Sequence, residues 1–199
     1  MVGRKQFVVD DALHGAMLVF WERGYDAATM QLLAEGTGLG RGSLYGTFGD
    51  KQQLFLRCLD RYARTFAAEL LEALHCHPQN PVAAVGALYD AILTRMAQAT
   101  CPTGCLITLA AGESATLPPN ARQVVQDLLA AQVQAVREVL QAAAAHGHPA
   151  HGGEPAALAE HVVATAQALA LLHRAGTDLP ALHSVAAAAL HVLRPTATI

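Results

Sequence analysis

Apolar residues near the start of the chain recur at the spacing of one face of an α-helix. This stripe consists of Leu13, Ala16, Met17 and Phe20. An aspartate at position 10 or 11 can cap the helix, and Gly24 is a typical residue for ending it. The pattern therefore predicts an amphipathic helix from about Asp10 to Arg23.

The rest of the chain has the same helical texture, because alanine is abundant and alternating β-branched runs are missing. Short helices are predicted over residues 29–35 and 41–48, and a long helix that Asp50 caps is predicted to reach about His75. Further helices are predicted over residues 81–99, 104–113, 119–145, 155–174 and 179–193. The pattern indicates an all-α protein with three short helices followed by five or six longer ones.

The segment GLGRGSLYGTFGDK, residues 38–51, contains the turn after the first of these short helices and all of the second. Ala34 and Gly38 suit a helix that packs closely on its neighbour and then turns sharply, since glycine can adopt a positive φ. Apolar side chains of this segment and of the two preceding helices form a predicted three-helix core, which consists of Met17, Phe20, Met30, Leu33, Leu39, Leu44 and Phe48. This spacing predicts a helix-turn-helix, whose second helix enters the major groove of DNA.

The outward positions of that second helix carry chemistry that suits base recognition. Arg41 can donate two hydrogen bonds to a guanine edge, and Ser43 and Thr47 can reach bases or phosphates. Gly42 and Gly46 keep the helix surface low, so that the backbone and the groove can approach each other. These five positions are the candidate base-contacting face.

Three further residues are candidates for holding phosphates. Tyr45 lies on the predicted recognition helix and Lys51 follows it, and both are placed to hold phosphates. Thr29, as the N-cap of the preceding helix, would present its hydroxyl and the free amides of Met30 and Gln31 to a phosphate oxygen. Each of the three also has a purely structural interpretation, because an N-cap stabilises its helix and an aromatic residue is often part of a core.

Composition narrows the class of protein. The chain has 199 residues, 53% of them hydrophobic, and a formal net charge of −3, so DNA binding would have to come from local geometry. The sequence shows neither an uninterrupted apolar run of spanning length nor an ordinary secretory signal, so we expect no membrane partner. The four cysteines lack CxxC spacing. A reducing, cytoplasmic location is predicted.

The run over residues 12–62 resembles the N-terminal domain of the TetR family of bacterial transcriptional regulators. The resemblance rests on FWERGYDAAT, TGLGRGSLYGTFGDK and a following LF, in that order. It implies an all-helical homodimeric repressor that releases a palindromic double-stranded operator when a small molecule binds. It also implies phosphate contacts at Thr29, Tyr45 and Lys51. The base-reading segment that it implies is Arg41, Gly42 and Ser43. Gly46 and Thr47 depart from the bulky residues of many members, and Arg4 and Lys5 resemble the basic arm of some.

The domain prediction follows from this layout. Residues 1–50 are predicted to form the DNA-binding domain and residues 51–199 a helical ligand-binding and dimerisation domain. The last two helices are apolar around too much of their circumference for surface helices, which favours a homodimer over mere closure of the core. A small apolar effector is expected, with candidate contacts Phe66, Leu70, Tyr89, Met96, Cys105, Leu109 and Gln167.

Alternatives come from the cysteines and histidines. Cys105 lies at the start of a predicted helix and could be a redox or electrophile sensor, with Cys101 as a resolving thiol, or simply a small buried residue. The groups His75–His77 and His146–His151 lack the spacing of a structural zinc site, so neither a metal nor a cofactor is expected. An all-helical enzyme is a rival interpretation, but no catalytic motif supports it. A helix-turn-helix protein that acts through protein contacts is a third.

Overall fold

A computed structural model describes residues 2–98, 101–150 and 153–194, with side chains described from residue 9 onward. All regular secondary structure in these ranges is helical, which confirms the predicted all-α class. The side chains of Arg4 and Lys5, the predicted basic arm, lie outside the described part.

Six α-helices lie in the first half of the described residues. They are α1 (Val2–Ala27), α2 (Met30–Thr37), α3 (Arg41–Phe48), α4 (Lys51–Tyr62), α5 (Ala68–Glu72) and α6 (Pro81–Met96). A π-helical turn, Ala63–Ala67, separates α4 from α5, and a 3-10 turn, Ala73–Cys76, follows α5.

The second half contains four helices in the described residues. They are α7 (Leu106–Gly112), α8 (Pro119–Ala145), α9 (Pro155–Arg174) and α10 (Leu179–Ala189), and a 3-10 turn, Leu190–Leu193, follows α10. Asn80 and Asp178 cap α6 and α10, since their side chains accept hydrogen bonds from the amides of Ala83 and Ala181.

Most predicted helices agree with the structure to within a few residues, and two predictions are corrected. The first helix begins at Val2 rather than at Asp10, while Gly24 leaves helical geometry as expected, with φ 81° and ψ 174°. The single helix predicted to reach His75 is interrupted after Tyr62 by the π-helical turn. Neither glycine nor proline stands at that interruption, so the sequence carries no local signal for it.

The described chain divides into two compact units. Unit 1 comprises Met1–Thr65 and Cys105–Asp127, and unit 2 comprises Phe66–Gly104 and Leu128–Ile199. Helices α4 and α7 therefore belong to the same compact unit as the helix-turn-helix. The functional boundary between residues 50 and 51 stays a prediction.

Aromatic side chains of α1 and α4 form much of the core of unit 1. The Phe20 and Phe55 ring centroids lie 4.9 Å apart, and those of Trp21 and Tyr62 lie 5.0 Å apart at nearly right angles. The predicted core residues Met17, Phe20, Leu33, Leu44 and Phe48 are all buried. Met30 and Leu39 are only half-buried.

Helices α1 and α2 cross at two glycines. A Cβ atom added to Gly15 would lie 2.1 Å from the carbonyl oxygen of Gly36, and one added to Gly36 would lie 2.4 Å from Val19 Cγ2. The close approach that the sequence suggested at Ala34 and Gly38 therefore occurs at Gly36 instead. Ala34 is half-buried, and Gly38 serves the turn alone.

Unit 2 has a core built mainly from α6, α9 and α10. Tyr89 is buried in it, and its hydroxyl donates a hydrogen bond of 3.2 Å to the carbonyl oxygen of Val162. Burial raises the pKa of Tyr89 to about 12. Helices α9 and α10 thus contribute to this core, which was the alternative to the predicted dimer interface.

Helix α9 also bears on the question of a membrane. Among the described helices it is the one that is long and apolar enough to cross a bilayer, by length and composition. A single helix of this kind is weak evidence, because core helices of soluble proteins satisfy the same criteria. In the structure α9 contributes Leu158, Val162 and Leu169 to the core of unit 2.

The glycine crossing generates a stability prediction. Gly15→Ala is expected to lower the free energy of unfolding by about 1–3 kcal/mol, because its methyl group would overlap backbone that cannot move aside. Gly46→Ala is the matched control, since a Cβ there meets nothing within 4 Å. The control should be neutral or more stable by about 0.4–1 kcal/mol. Urea denaturation followed by circular dichroism measures both, and equal stability of the two variants would contradict the crossing.

Candidate nucleic-acid interface

Thr29 begins the helix-turn-helix as the N-cap of α2. Its backbone is extended, and its hydroxyl accepts a hydrogen bond of 3.2 Å from the amide of Leu32. The side chain is exposed, while Ala28 beside it is fully buried. The N-terminal end of α2 is therefore anchored in the core and open to solvent at its tip, as a phosphate contact requires.

The turn between α2 and α3 is set by Gly38. This residue has φ 66°, the left-handed conformation that glycine adopts without strain, and its amide donates to the carbonyl of Glu35. The hydroxyl of Thr37 stabilises the turn by accepting a hydrogen bond of 3.3 Å from the amide of Leu39. The predicted sharp turn with a positive φ is confirmed, and it directs the chain into α3.

Helix α3 has two clearly different faces. Leu44 and Phe48 are buried and hold the helix against the rest of unit 1. The other face carries the predicted DNA-contacting residues Arg41, Gly42, Ser43, Tyr45 and Gly46, which are all exposed, and Thr47, which is half-buried. Tyr45 is 50% exposed, which makes it one of the few large apolar surfaces left open in the described chain.

The two glycines of α3 leave room for a partner. A Cβ atom added to Gly42 or to Gly46 would meet nothing within 4 Å. Packing inside the protein therefore does not explain why glycine stands at these two helical positions, where it is unfavourable by roughly 1 kcal/mol relative to alanine. The backbone of α3 is therefore open on its exposed face at both positions.

Arg41 is held at the surface by a hydrogen-bond relay that sequence reasoning missed. Its Nη2 donates to Oε1 of Gln31 at 3.4 Å, and Nε2 of Gln31 donates to Oε1 of Glu35 at 3.0 Å. Gln31 and Glu35 are four residues apart on α2, a spacing that was available in the sequence. The contact to Arg41 depends on the angle between α2 and α3, which the sequence does not reveal.

Lys51 lies at the start of α4 against residues 24–29, which run from the break at Gly24 through the last turn of α1 to the start of α2 and which we call the α1–α2 loop. Its Nζ donates a hydrogen bond of 3.3 Å to the carbonyl of Asp26 and lies 4.6 Å from the centroid of the Tyr25 ring. Burial lowers the pKa of Lys51, while the charges of Asp26 and Glu113 act in the opposite direction. Asp50 caps α4 by accepting a hydrogen bond from the amide of Gln53.

The predicted effector contacts divide between the two units. Phe66, Leu70, Tyr89, Met96 and Gln167 belong to unit 2, and Cys105 and Leu109 belong to unit 1. Leu70 and Met96 pack at the edge of the unit 2 core. Two other members have close neighbours there, since the Arg95 guanidinium lies 5.0 Å from the Phe66 centroid and Gln167 donates to Gln132 at 2.9 Å.

Cys105 is the N-cap of α7 and is half-buried. The hydroxyl of Tyr62 donates a hydrogen bond to its sulfur at 3.2 Å. Cys58, by contrast, is fully buried on α4, and burial raises the pKa of its thiol. The Cys58 thiol donates to the carbonyl oxygen of Leu13 at 3.8 Å. Of these two cysteines of unit 1, Cys105 is therefore the one that solvent can reach.

The histidine groups bring no metal site into view. Among the residues that the structure describes, no group of three or more histidine, cysteine, aspartate or glutamate side chains could hold a metal ion. His75, His77, His146 and His148 are exposed. His151 lies outside the described residues.

Comparison with known proteins assigns the family. Residues 12–58 match the family described as bacterial regulatory proteins, tetR family, and residues 81–189 match the tetracyclin repressor-like C-terminal domain. A helix-turn-helix at the N-terminus of an all-helical chain is the architecture of a DNA-binding regulator. The chain belongs to the TetR family, and it is a DNA-binding transcriptional regulator.

Individual relatives agree with this assignment. The HTH-type transcriptional repressor ComR of Escherichia coli K12 is 29% identical over 191 residues, which cover 94% of this chain and 90% of that protein. The repressor AcnR of Corynebacterium efficiens is 42% identical over 64 residues, about a third of each chain. A solved structure of a cysteine mutant of the TetR family regulator CifR, complexed with 26bp double-strand operator DNA, has a TM-score of 0.83 and 28% identity. The match covers 92% of this chain and 95% of the CifR chain.

Proposed function

We propose that this protein is a cytoplasmic repressor, not an enzyme, that binds a palindromic double-stranded operator and releases it when a small apolar effector binds. The observation that carries the DNA-binding part is the exposed face of α3, where polar side chains and two unpacked glycines oppose a buried Leu44 and Phe48. The operator complex of CifR and the naming of ComR as a repressor support the same conclusion.

The candidate DNA-contacting residues divide into two roles. Arg41, Ser43 and Thr47 are proposed to read base edges, and Gly42 and Gly46 to admit the groove close to the helix backbone. The phosphate contacts are assigned to Thr29, Tyr45 and Lys51. The relay from Gln31 supports the role of Arg41, because a guanidinium that is already oriented loses less side-chain entropy on binding a guanine.

The two roles predict different mutant behaviour. Arg41→Ala is expected to weaken operator binding by about 1–3 kcal/mol and to relax the choice at one base pair in each half-site. Tyr45→Phe and Lys51→Ala should weaken all sequences about equally, because phosphates carry no sequence information. Fluorescence anisotropy on DNA from upstream of the protein's own coding region, and on a scrambled duplex, measures the difference.

Arg194→Ala is the control for loss of positive charge, since Arg194 is an exposed arginine of unit 2. It should change neither affinity by more than about twofold. Equal losses on operator and scrambled DNA for Arg41→Ala would contradict the base-reading role. Failure of the wild-type protein to prefer any duplex, including those selected from a random library, would contradict operator recognition itself.

A homodimer through α9 and α10 is the second part of the proposal. Leu171 of α9 is 61% exposed, and Val185 of α10 and Val192 beyond it are each 38% exposed. Large apolar side chains left open on the last helices are accounted for by a second copy of the chain. A two-fold dimer would present two copies of α3 to the two halves of a palindrome.

The dimer predicts a mass that depends on one of these side chains. The wild-type protein should sediment as a dimer at micromolar concentration, and Leu171→Glu should shift it towards the monomer, because a carboxylate would be buried without a partner. Thr94→Glu, at an exposed position of α6, is the matched control and should remain dimeric. A wild-type protein that sediments as a monomer in analytical ultracentrifugation would rule the dimer out.

Effector release is proposed to act through the predicted C-terminal contacts. Phe66, Leu70, Tyr89, Met96 and Gln167 offer a mostly apolar set in unit 2, which suits an apolar molecule with one or two polar groups. Cys105 and Leu109 are the proposed contacts on the α7 side. A molecule releases DNA only if it binds the released form more tightly than the DNA-bound form.

A thiol sensor is the alternative mode of release, and the hydrogen bond from Tyr62 to Cys105 favours it. An electrophile such as an α,β-unsaturated carbonyl would react at this sulfur. The Cys105 Sγ would bond to the β-carbon, and the thiol proton would end on the α-carbon. The added group would occupy the space where Tyr62 contacts the sulfur, at the start of α7.

Cys105→Ser separates the two modes, because a hydroxyl keeps the Tyr62 partner but is a far weaker nucleophile. In a reporter strain the variant should still repress. If an apolar effector acts in the C-terminal helices, the variant should also derepress like the wild type. A variant that represses but no longer responds to any compound active on the wild type would assign the switch to the thiol.

A further inference from the structure

Glu113 follows α7 immediately, and its side chain contacts the end of α1, just before the helix-turn-helix, within unit 1. Its Oε2 accepts a hydrogen bond of 2.6 Å from the backbone amide of Tyr25, across 88 positions of sequence. A carboxylate that accepts an N–H at this distance forms a charge-assisted hydrogen bond, which is stronger than one between neutral groups. The end of α7 is thereby attached to the α1–α2 loop, residues 24–29.

Gly24 completes this attachment. The residue has φ 81°, and a Cβ atom added to it would lie 2.2 Å from Oε1 of Glu113. The carboxylate therefore lies directly against the α-carbon of Gly24 while it binds the next amide along the chain. Both oxygens of Glu113 contact the point where α1 leaves helical geometry.

The same loop holds Lys51. The ring of Tyr25 lies under its ammonium group, and the carbonyl of Asp26 accepts its hydrogen bond. The contacts thus run without a gap from Glu113 through Tyr25 and Asp26 to Lys51, all within unit 1. If the hydrogen bond between Tyr25 and Glu113 broke and the loop shifted, the Tyr25 ring and the Asp26 carbonyl that hold Lys51 would both move.

We infer that Glu113 is a positioning residue for DNA binding, which fixes the α1–α2 loop so that Lys51 is presented to a DNA phosphate. The inference rests on the proposed phosphate contact of Lys51. It makes the position of α7 a determinant of DNA affinity, because Glu113 moves with the end of that helix. Glu113 itself touches no DNA in this role.

The sign of the effect distinguishes positioning from simple electrostatics. A carboxylate near a DNA-binding surface repels phosphates, so its charge alone predicts that removal tightens binding. Positioning predicts that removal weakens binding. Glu113→Gln separates the two contributions, since its amide oxygen can still accept the Tyr25 N–H while the charge is lost.

The test measures DNA affinity in two backgrounds, using a duplex that the wild-type protein selects from a random library. Glu113→Ala is expected to weaken binding at least about fivefold, and Glu113→Gln to stay within about twofold of wild type or bind more tightly. With Lys51→Ala already present, Glu113→Ala should change affinity by less than about twofold. Glu72→Ala, which removes an exposed carboxylate of unit 2, is the control and should have no effect.

A second measurement follows the loop itself without DNA. Amide hydrogen exchange over residues 24–28 should be faster in Glu113→Ala than in wild type, and Glu113→Gln should retain the protection. Exchange elsewhere in α1 reports whether Glu113→Ala has loosened the whole unit. If it has, two milder variants test the positioning role instead. Glu113→Gln should retain both DNA affinity and protection from exchange. Glu113→Asp, which shortens the reach to Tyr25, should lose both.

The inference is overturned by unchanged or tighter DNA binding of Glu113→Ala, or by an equal loss in the Lys51 and Lys51→Ala backgrounds. If Lys51→Ala alone leaves affinity unchanged, the proposed phosphate contact is wrong and the inference falls with it. A strong effect of Lys51→Ala combined with none of Glu113→Ala rejects the positioning role alone.

Discussion

The crossing of α1 over α2 is the constraint on which the DNA-binding surface depends. Gly15 and Gly36 bring the two backbones so close that an added methyl group at either would meet protein atoms. This contact places α2, and the left-handed Gly38 then fixes the direction in which α3 leaves it. Because α3 is held by only two buried side chains of its own, the orientation of its exposed face follows from the crossing and the turn.

Local signals account for what the sequence could predict. The bounds of α3, the break at Gly24 and the N-caps Thr29 and Asp50 all agree with the structure, since capping and turn residues act within three or four positions of themselves. The burial of Leu44 and Phe48 followed from helical periodicity. Where such a signal was lacking, at the π-helical turn after Tyr62, the prediction of one continuous helix was wrong.

The contacts that orient the candidate site could not be predicted in this way. Gln31 reaches Arg41 across the turn, and Glu113 reaches Tyr25 from another part of the chain. Each pair is brought together by packing, so no residue near either partner in the sequence indicates the contact. The requirement for glycine at position 15 could not be predicted either, because the atom that leaves no room for a side chain is the carbonyl oxygen of Gly36, on another helix.

The Glu113 contact is also of the right size to take part in a switch. A hydrogen bond to a charged group contributes about 1.5–3 kcal/mol, so two copies in the proposed dimer would contribute about 3–6 kcal/mol. Moving a two-state equilibrium from one per cent to ninety-nine per cent requires about 5.5 kcal/mol. Loss of this one contact in both protomers, by movement of α7, would destabilise the DNA-bound form by up to about 6 kcal/mol. The free energy for that movement would come from an effector, or from modification of Cys105, that favours the released form. Both proposed modes of release could act through this contact, because Cys105 and Glu113 lie at opposite ends of the same short helix.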